Sequence, residues 1–187
     1  ACVILGSKIG IPVHLVLAGR WFNQKEEIEF TKYCTENQKF MVLHNFGWVP
    51  HINVPQILSQ ADVCCTVFFS KRYEKVLSGK AGPIKLYEYM ACGKPVIASN
   101  LGALRYTIEK SQCGILVDVS GGANAIATAL EFYYTNPKYI KEHGENGRRA
   151  VEKFFNWEIA EKKLLDIYAR LLLQKRRWKV WQEVSTK

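Results

Sequence analysis

The sequence predicts an α/β fold: a doubly wound parallel sheet with helices on both faces and a helical C-terminal end. Two observations carry this. Short β-branched apolar runs recur along the chain, and each is followed by a stretch whose apolar residues repeat at helical spacing. The runs are nearly continuous in apolar character rather than alternating, the pattern of strands buried on both faces of a parallel sheet. Right-handed crossovers then wind that sheet in both directions, giving a Rossmann-like layer sandwich.

"IPVHLVLAG" reads as a strand ending at Gly19, and "NQKEEIEFTKYCTEN" as a helix with Ile28, Phe30 and Cys34 at helical spacing. "FMVLHNFGWV" is a second strand, "VPQILSQA" a short helix and "DVCCTVFF" a third strand. A loop from Ser70 to Ala81 leads to the helix "PIKLYEYMAC", the strand "PVIAS", the short helix "LGALRYTIEK" and the strand "CGILVD". Everything after Asp118 is helical, beginning with "GGANAIATALEFYYTNP". Two last helices meet at Asn156, a good N-cap with Glu158 in the first turn. The final one covers about 27 residues, roughly 40 Å at helical rise, longer than a small domain is wide. No repeat and no Pro-, Gly- or Ser-rich linker divides residues 1–187, which read as one domain. Ligands of open parallel sheets sit beyond the carboxyl ends of the strands, so the loops at Gly19, Gly47, Phe69 and Ser99 are expected to line one crevice.

Composition narrows the partners. The net charge of +9 on 187 residues suggests an anionic partner. From Lys162 to Lys187 there are eight Lys or Arg against two acids, and "QKRRWKVW" alternates bases with tryptophans. Lys175, Arg176, Arg177 and Lys179 in that end are candidates for contact with an anionic membrane surface. Nucleic acid is disfavoured, because the basic residues concentrate at one helix end without a groove-reading motif. Six scattered cysteines with no CxxC pair argue against a zinc site or a disulfide framework and for a reducing, cytoplasmic setting. Adjacent Cys64 and Cys65 are expected on opposite faces of a strand, as packing groups. The longest apolar runs are too short to span a membrane. The start lacks an initiator Met and a signal peptide, so the chain is expected to be a fragment.

The stretch "GPIKLYEYMACGKPVIAS", residues 82–99, has the best-punctuated helix in the chain. Pro83 suits a first helical turn, Gly82 allows close approach to the backbone, Gly93 is placed for a left-handed C-cap and Pro95 forbids continuation. The free amides and positive dipole end at Gly82 to Lys85, with Lys80 and Lys85 adding charge, suit an anion such as phosphate. Glu88 lies roughly 7 to 8 Å beyond Pro83 along the axis, comparable to the separation of a diphosphate from a ribose. It is thus a candidate acceptor for vicinal hydroxyls. The same residues also allow a plain Gly-Pro helix start with Glu88 paired to Lys85 one turn earlier. Elsewhere, His14, His44, His51 and His143 show no metal spacing, and none is assigned as a base. Tyr87 and Tyr89 read as packing and rim groups, and Ser120 to Gly122 as an N-cap.

"KLYEYMACGKPVIAS", followed by "LG" and "CGILVD", resembles the donor-binding half of the GT-B glycosyltransferases, family 4 of the retaining enzymes. "VHLVLAG", "VLHNFGWVPHINVPQILSQADV" and "GRRAVEKFFNWEIAEKKLLDIY" extend the resemblance along nearly the whole chain. It implies that backbone groups of Gly82, Pro83, Ile84, Lys85 and Leu86 hold a diphosphate, and that Glu88 holds the donor ribose. Gly19 and Arg20 would face the phosphates, and Gly47, Trp48 and Val49 would pack beside the base. The family's first glutamate stands eight positions before the second, and Lys80 occupies that position here; Glu74 is the nearest carboxylate. The resemblance therefore makes Glu88, Lys80 and Glu74 the catalytic candidates. It further implies an NDP-sugar donor with UDP or GDP, and no resident cofactor or metal. A second Rossmann-like domain carrying the acceptor site would precede Ala1, leaving this piece inactive alone. Glycan, polysaccharide or glycolipid biosynthesis is the implied setting, in the cytoplasm or at the inner face of the membrane. Two other functions remain open at this point. A sugar-nucleotide epimerase would need an acid and a base carboxylate that do not stand out, and a catalytically silent nucleotide-binding or scaffold domain would suit Lys80 in place of a carboxylate.

Overall fold

A computed structural model of the chain describes residues 1–68, 73 and 82–185, with side chains described up to residue 174. The chain divides into two compact units, Ala1–Arg149 and Ala150–Lys187.

In the first unit the order is α1 (Cys2–Ile9), β1 (Val13–Leu17), α2 (Gln24–Glu36), β2 (Met41–Asn45), a 3-10 turn at His51–Asn53, α3 (Val54–Ser59) and β3 (Cys64–Thr66). There follow α4 (Ile84–Ala91), β4 (Val96–Ser99), α5 (Gly102–Ser111), β5 (Gly114–Val117) and α6 (Gly122–Thr135), which starts after a 3-10 turn at Val119–Gly121. Helix α7 (Lys138–Phe154) leads into the second unit, which holds α8 (Trp157–Ser185). All strand pairs are parallel, as expected. They form two ladders, β1–β2 and β3–β4–β5, and among the described residues no pairing joins β1 to β3. The sequence pattern implies a single sheet, and the structure divides it in two. Which apolar strands pair is decided by packing at long range, beyond what local pattern encodes.

Helix α1 lies in a stretch to which the sequence reading gave no element. Its end is fixed by Gly10, left-handed at φ 76°, whose N–H bonds back to the Gly6 carbonyl. Gly6 lies against the Phe40 carbonyl, where a Cβ would collide. The helix touches β1, β2 and α6, and Lys8 Nζ pairs with Glu131 Oε1 at 2.6 Å, so it ties the two ladders together.

The core centres on β4, whose four residues are fully buried. Leu86 and Met90 of α4, and Ala103 and Leu104 of α5, are buried completely as well. Behind the ladder, Ile97, Val117, Ala129 and Tyr133 form one cluster, and the Tyr133 hydroxyl meets His143 Nδ1 at 2.9 Å. Not every periodic residue turns inward: Ile28, placed by helical spacing on the buried face of α2, is 62% exposed.

The cap signals act as the sequence implies. Asn23 Oδ1 accepts from the Lys25 amide at 2.9 Å to open α2, and Asn156 Oδ1 accepts from Ile159 at 3.0 Å to open α8. After α4, Gly93 is left-handed at φ 66°, and the amides of Cys92, Gly93 and Lys94 return to the carbonyls of Glu88, Met90 and Tyr89. Helix α8 is 29 residues long, slightly longer than expected. Among the described residues no helix is long and apolar enough to cross a membrane.

Gly114 opens β5 where the backbones of β4 and β5 run closest, and a Cβ there would overlap the Val96 carbonyl. Gly114→Ala is expected to destabilise the protein by about 2 to 3 kcal/mol, because sheet backbone cannot move aside as a side chain can. Urea unfolding followed by circular dichroism should show a lowered midpoint, and an unchanged midpoint would disprove this packing.

Candidate functional site

Contacts run from one strand end to the next along the carboxyl ends of both ladders. After β1, the Gly19 amide donates to the Gly47 carbonyl in the loop after β2 at 2.7 Å. Both glycines have positive φ, 155° and 58°, so backbone comes to the surface at these tips without a Cβ over it. The Arg20 guanidinium stands 5.3 Å from the ring centre of Trp48, which is 61% exposed. Gly19, Arg20, Gly47 and Trp48 are thus brought together, with half-buried Val49 next in the chain.

The same loop continues into the 3-10 turn, from which His51 reaches α4. Its Nε2 lies 2.7 Å from Glu88 Oε1. An ionised carboxylate can only accept, so Nε2 carries the proton of this bond. Among the described residues His51 is the hydrogen-bonding partner of the Glu88 carboxylate. The two side chains differ in burial: Glu88 keeps 27% of its side chain exposed and His51 84%.

Beyond β3, Phe68 takes up the chain of contacts. Lys85 Nζ sits 5.1 Å from the Phe68 ring centre, and partial burial holds its ammonium below the ordinary lysine range. Lys85 therefore turns to Phe68 rather than to Glu88, the partner that helical spacing offered. The Phe68 amide donates to Ser99 Oγ at 2.8 Å, and that hydroxyl donates to the Phe68 carbonyl at 3.2 Å, locking the end of β3 to the end of β4. Just past β4, Asn100 joins Asp118 at 2.9 Å and accepts from Arg105 Nε at 2.5 Å.

The start of α4 departs from expectation in two details. The Gly82 amide, expected to be open, donates to the Tyr87 hydroxyl at 3.0 Å, and the Leu86 amide donates to the Pro83 carbonyl at 3.0 Å. Leu86 is fully buried besides. Pro83 has no N–H, so the amides left to an anion are those of Ile84 and Lys85, in the first turn where no intrahelical acceptor exists. Lys80, Glu74 and Phe69 lie outside the described residues, as do the side chains of Lys175, Arg176, Arg177 and Lys179. Three groups escaped the sequence reading: His51, the Phe68–Ser99 lock and the Asn100–Arg105–Asp118 cluster. Only Asn100 carried a signal, as a polar residue directly after a buried strand.

The cysteines are all free thiols. Cys64 is buried and Cys65 exposed, on opposite faces as alternation requires. Burial, aided by the neighbouring Cys65, pushes the Cys64 thiol up to about 12.

The family model described as Glycosyl transferases group 1 matches residues 1–150. Bacillus subtilis YtcC is 23% identical over 168 residues, 87% of this chain and 39% of that protein. The phosphatidyl-myo-inositol mannosyltransferase of Mycobacterium leprae is 30% identical over 92 residues, 49% of this chain and 24% of that one. Among solved structures, the sucrose-phosphate synthase of Thermosynechococcus elongatus superposes with a TM-score of 0.68 at 26% identity, covering 92% of this chain and 42% of its own. Anabaena HepE, solved in complex with UDP and glucose, gives 0.71 at 16% identity, covering 89% and 44%. The chain spans less than half the length of each of these proteins. These likenesses confirm the expected Rossmann-like half of a GT-B fold.

The lock between β3 and β4 rests on one hydroxyl that is fully buried. Ser99→Ala leaves the Phe68 amide without its partner, and a loss of about 1 to 3 kcal/mol is expected. Thermal unfolding measures it, and a variant as stable as the parent would show that the lock holds nothing.

Proposed function

The chain belongs to the glycosyl transferases group 1 family, and from that premise we propose that its crevice binds the nucleoside diphosphate of an NDP-sugar whose sugar passes to an acceptor. The observation that supports this reading is the placing of two unlike groups one turn apart on α4. Lys85, beside the first-turn amides, faces the β3 end, while Glu88 is tied to the loop after β2. An anion and a pair of neutral hydroxyls are the ligands such a helix suits, in that order along its axis.

In the proposed reaction the sugar leaves its diphosphate while the amides of Ile84 and Lys85 and the Lys85 ammonium stabilise the charge that develops. Glu88 accepts from the ribose hydroxyls, Gly19 and Arg20 border the phosphates, and Gly47 to Val49 border the base. UDP and GDP are the nucleotides proposed, with retention of anomeric configuration as in family 4. Acceptor binding belongs to a second Rossmann-like domain, and the setting is glycan, polysaccharide or glycolipid synthesis on the cytoplasmic side. Lys80 and Glu74 are proposed as sugar-side contacts on the sequence resemblance alone.

Screening UDP, GDP, UDP-glucose and GDP-mannose for thermal stabilisation tests the reading. At a ligand concentration a hundredfold above Kd, stabilisation of about 2.7 kcal/mol raises Tm by roughly 5 to 10 °C. The effective ligand should bind Glu88→Ala about tenfold more weakly or worse in calorimetry, since bonds to a charged acceptor carry roughly 1.5 to 3 kcal/mol. No shift from any of the four would favour a scaffold without nucleotide, and unchanged affinity would remove the ribose role.

The basic end is proposed to rest on anionic lipid, at about 1 kcal/mol per basic residue near the surface. Co-sedimentation with phosphatidylserine vesicles should be strong at low salt and lost when Lys175, Arg176, Arg177 and Lys179 are replaced by Ala. Absence of binding at low salt would refute it.

A further inference from the structure

We infer that His51 is the positioning residue of the nucleoside grip: through its 2.7 Å bond it fixes the Glu88 carboxylate that the ribose hydroxyls meet. This rests on the proposed ribose role of Glu88. Three observations lead to it.

The first is the isolation of Glu88. Its side chain is largely withdrawn from water, and the titratable groups whose shifts register its charge are Tyr89 and Cys92. A phenol and a thiol are neutral or negative and never cationic, and burial keeps both in the neutral form, so neither compensates the Glu88 charge. Lys85, the cation at helical spacing, is over Phe68. His51 is left as the group that donates to this carboxylate among the described residues.

The second is the origin of the bond. His51 belongs to the loop after β2, in the β1–β2 ladder, whereas α4 leads into β4 of the other ladder. The contact therefore joins the loop proposed to border the base with the helix proposed to hold the ribose. Lys94 Nζ, bonded to the Ser59 carbonyl at 2.8 Å, makes a second tie at the far end of α3, so the segment carrying His51 is held at both ends.

The third is the chemistry of a carboxylate. It offers two oxygens with about four acceptor sites, and a free one swivels among donors. With Oε1 taken by Nε2–H, one acceptor site is filled and the plane of the group is fixed. The rest face the vicinal hydroxyls at no further ordering cost.

The experiment uses the panel above with the 2′-deoxy forms of UDP and GDP added, on the parent, His51→Ala, His51→Gln, Glu88→Ala and the His51→Ala, Glu88→Ala double variant. His51 is mostly exposed, so its variants should melt with the parent. Expected is an affinity for the ribonucleotide about 5- to 10-fold lower in His51→Ala, less than the loss of a whole bond to a charged group because His51 acts through Glu88. The 2′-deoxy form should lose much less, the loss should vanish when Glu88 is already Ala, and His51→Gln, whose amide still donates, should recover part. Equal losses for ribose and deoxyribose, or losses that add to those of Glu88→Ala, would overturn the role of His51 while leaving Glu88 on the ribose. If Glu88→Ala binds every ribonucleotide as the parent does, the ribose reading falls, and this inference falls with it. If no nucleotide binds at all, both fall.

Discussion

The complete burial of β4 is the constraint on which the rest of the crevice depends. Val96, Ile97, Ala98 and Ser99 expose no surface, and a parallel strand in that position needs helices packed over it and every polar group paired. Helix α4 answers with Leu86 and Met90, both fully buried, at about 1.5 to 3 kcal/mol each for surface removed from water. An exposed ion pair contributes about 0 to 1 kcal/mol. Burial therefore sets where α4 lies, and the contacts of Glu88 and Lys85 adjust only what their side chains do once the helix is there. The Ser99 hydroxyl, the one polar side chain of β4, couples that core to the surface by holding Phe68, and Phe68 in turn carries Lys85.

How much of this was legible follows from how local each determinant is. Pro83 and Gly93 specify the limits of α4 through their own backbone geometry, and the structure starts and stops the helix within two residues of them. The alternation of strand and helix from β1 to α6 is legible for the same reason, as is the placing of site loops at the strand ends. The bond from His51 to Glu88 spans 37 residues, and nothing around either residue announces the other. The division into two ladders is likewise a matter of which edges meet. Helix α1 was hidden by composition: "CVILGSKI" is apolar on most of its surface, so it shows no polar face to mark a helical period.

The capture of the Gly82 amide by Tyr87 belongs between these cases. A side chain in the first turn of a helix can reach back to the amide just before it, so the competition was foreseeable from spacing. Its consequence is that the proposed anion site is narrower than the sequence implied and is centred on the Ile84 and Lys85 amides. Lys85 gains from that shift. Its ammonium is pushed down because burial removes water from it, and an anion beside the first-turn amides would return the lost solvation.

A carboxylate one turn from the proposed diphosphate site raises an electrostatic question, and the answer explains why a donor should face Glu88. Along α4 Glu88 lies three to four residues beyond Ile84 and Lys85, roughly 4.5 to 6 Å of rise. At an effective dielectric of about 20, each pair of unit charges at that distance repels by roughly 3 kcal/mol. That is as much as one bond from a ribose hydroxyl to a charged acceptor contributes, about 1.5 to 3 kcal/mol. Left alone, Glu88 would give back most of what it gains. The Nε2–H of His51 changes the balance, since it spreads the carboxylate charge toward a side chain that is 84% exposed to solvent. In the proposed complex the ammonium meets the phosphate and the imidazole meets the carboxylate, and the two negative groups would tolerate each other along a single helix because each has its own donor.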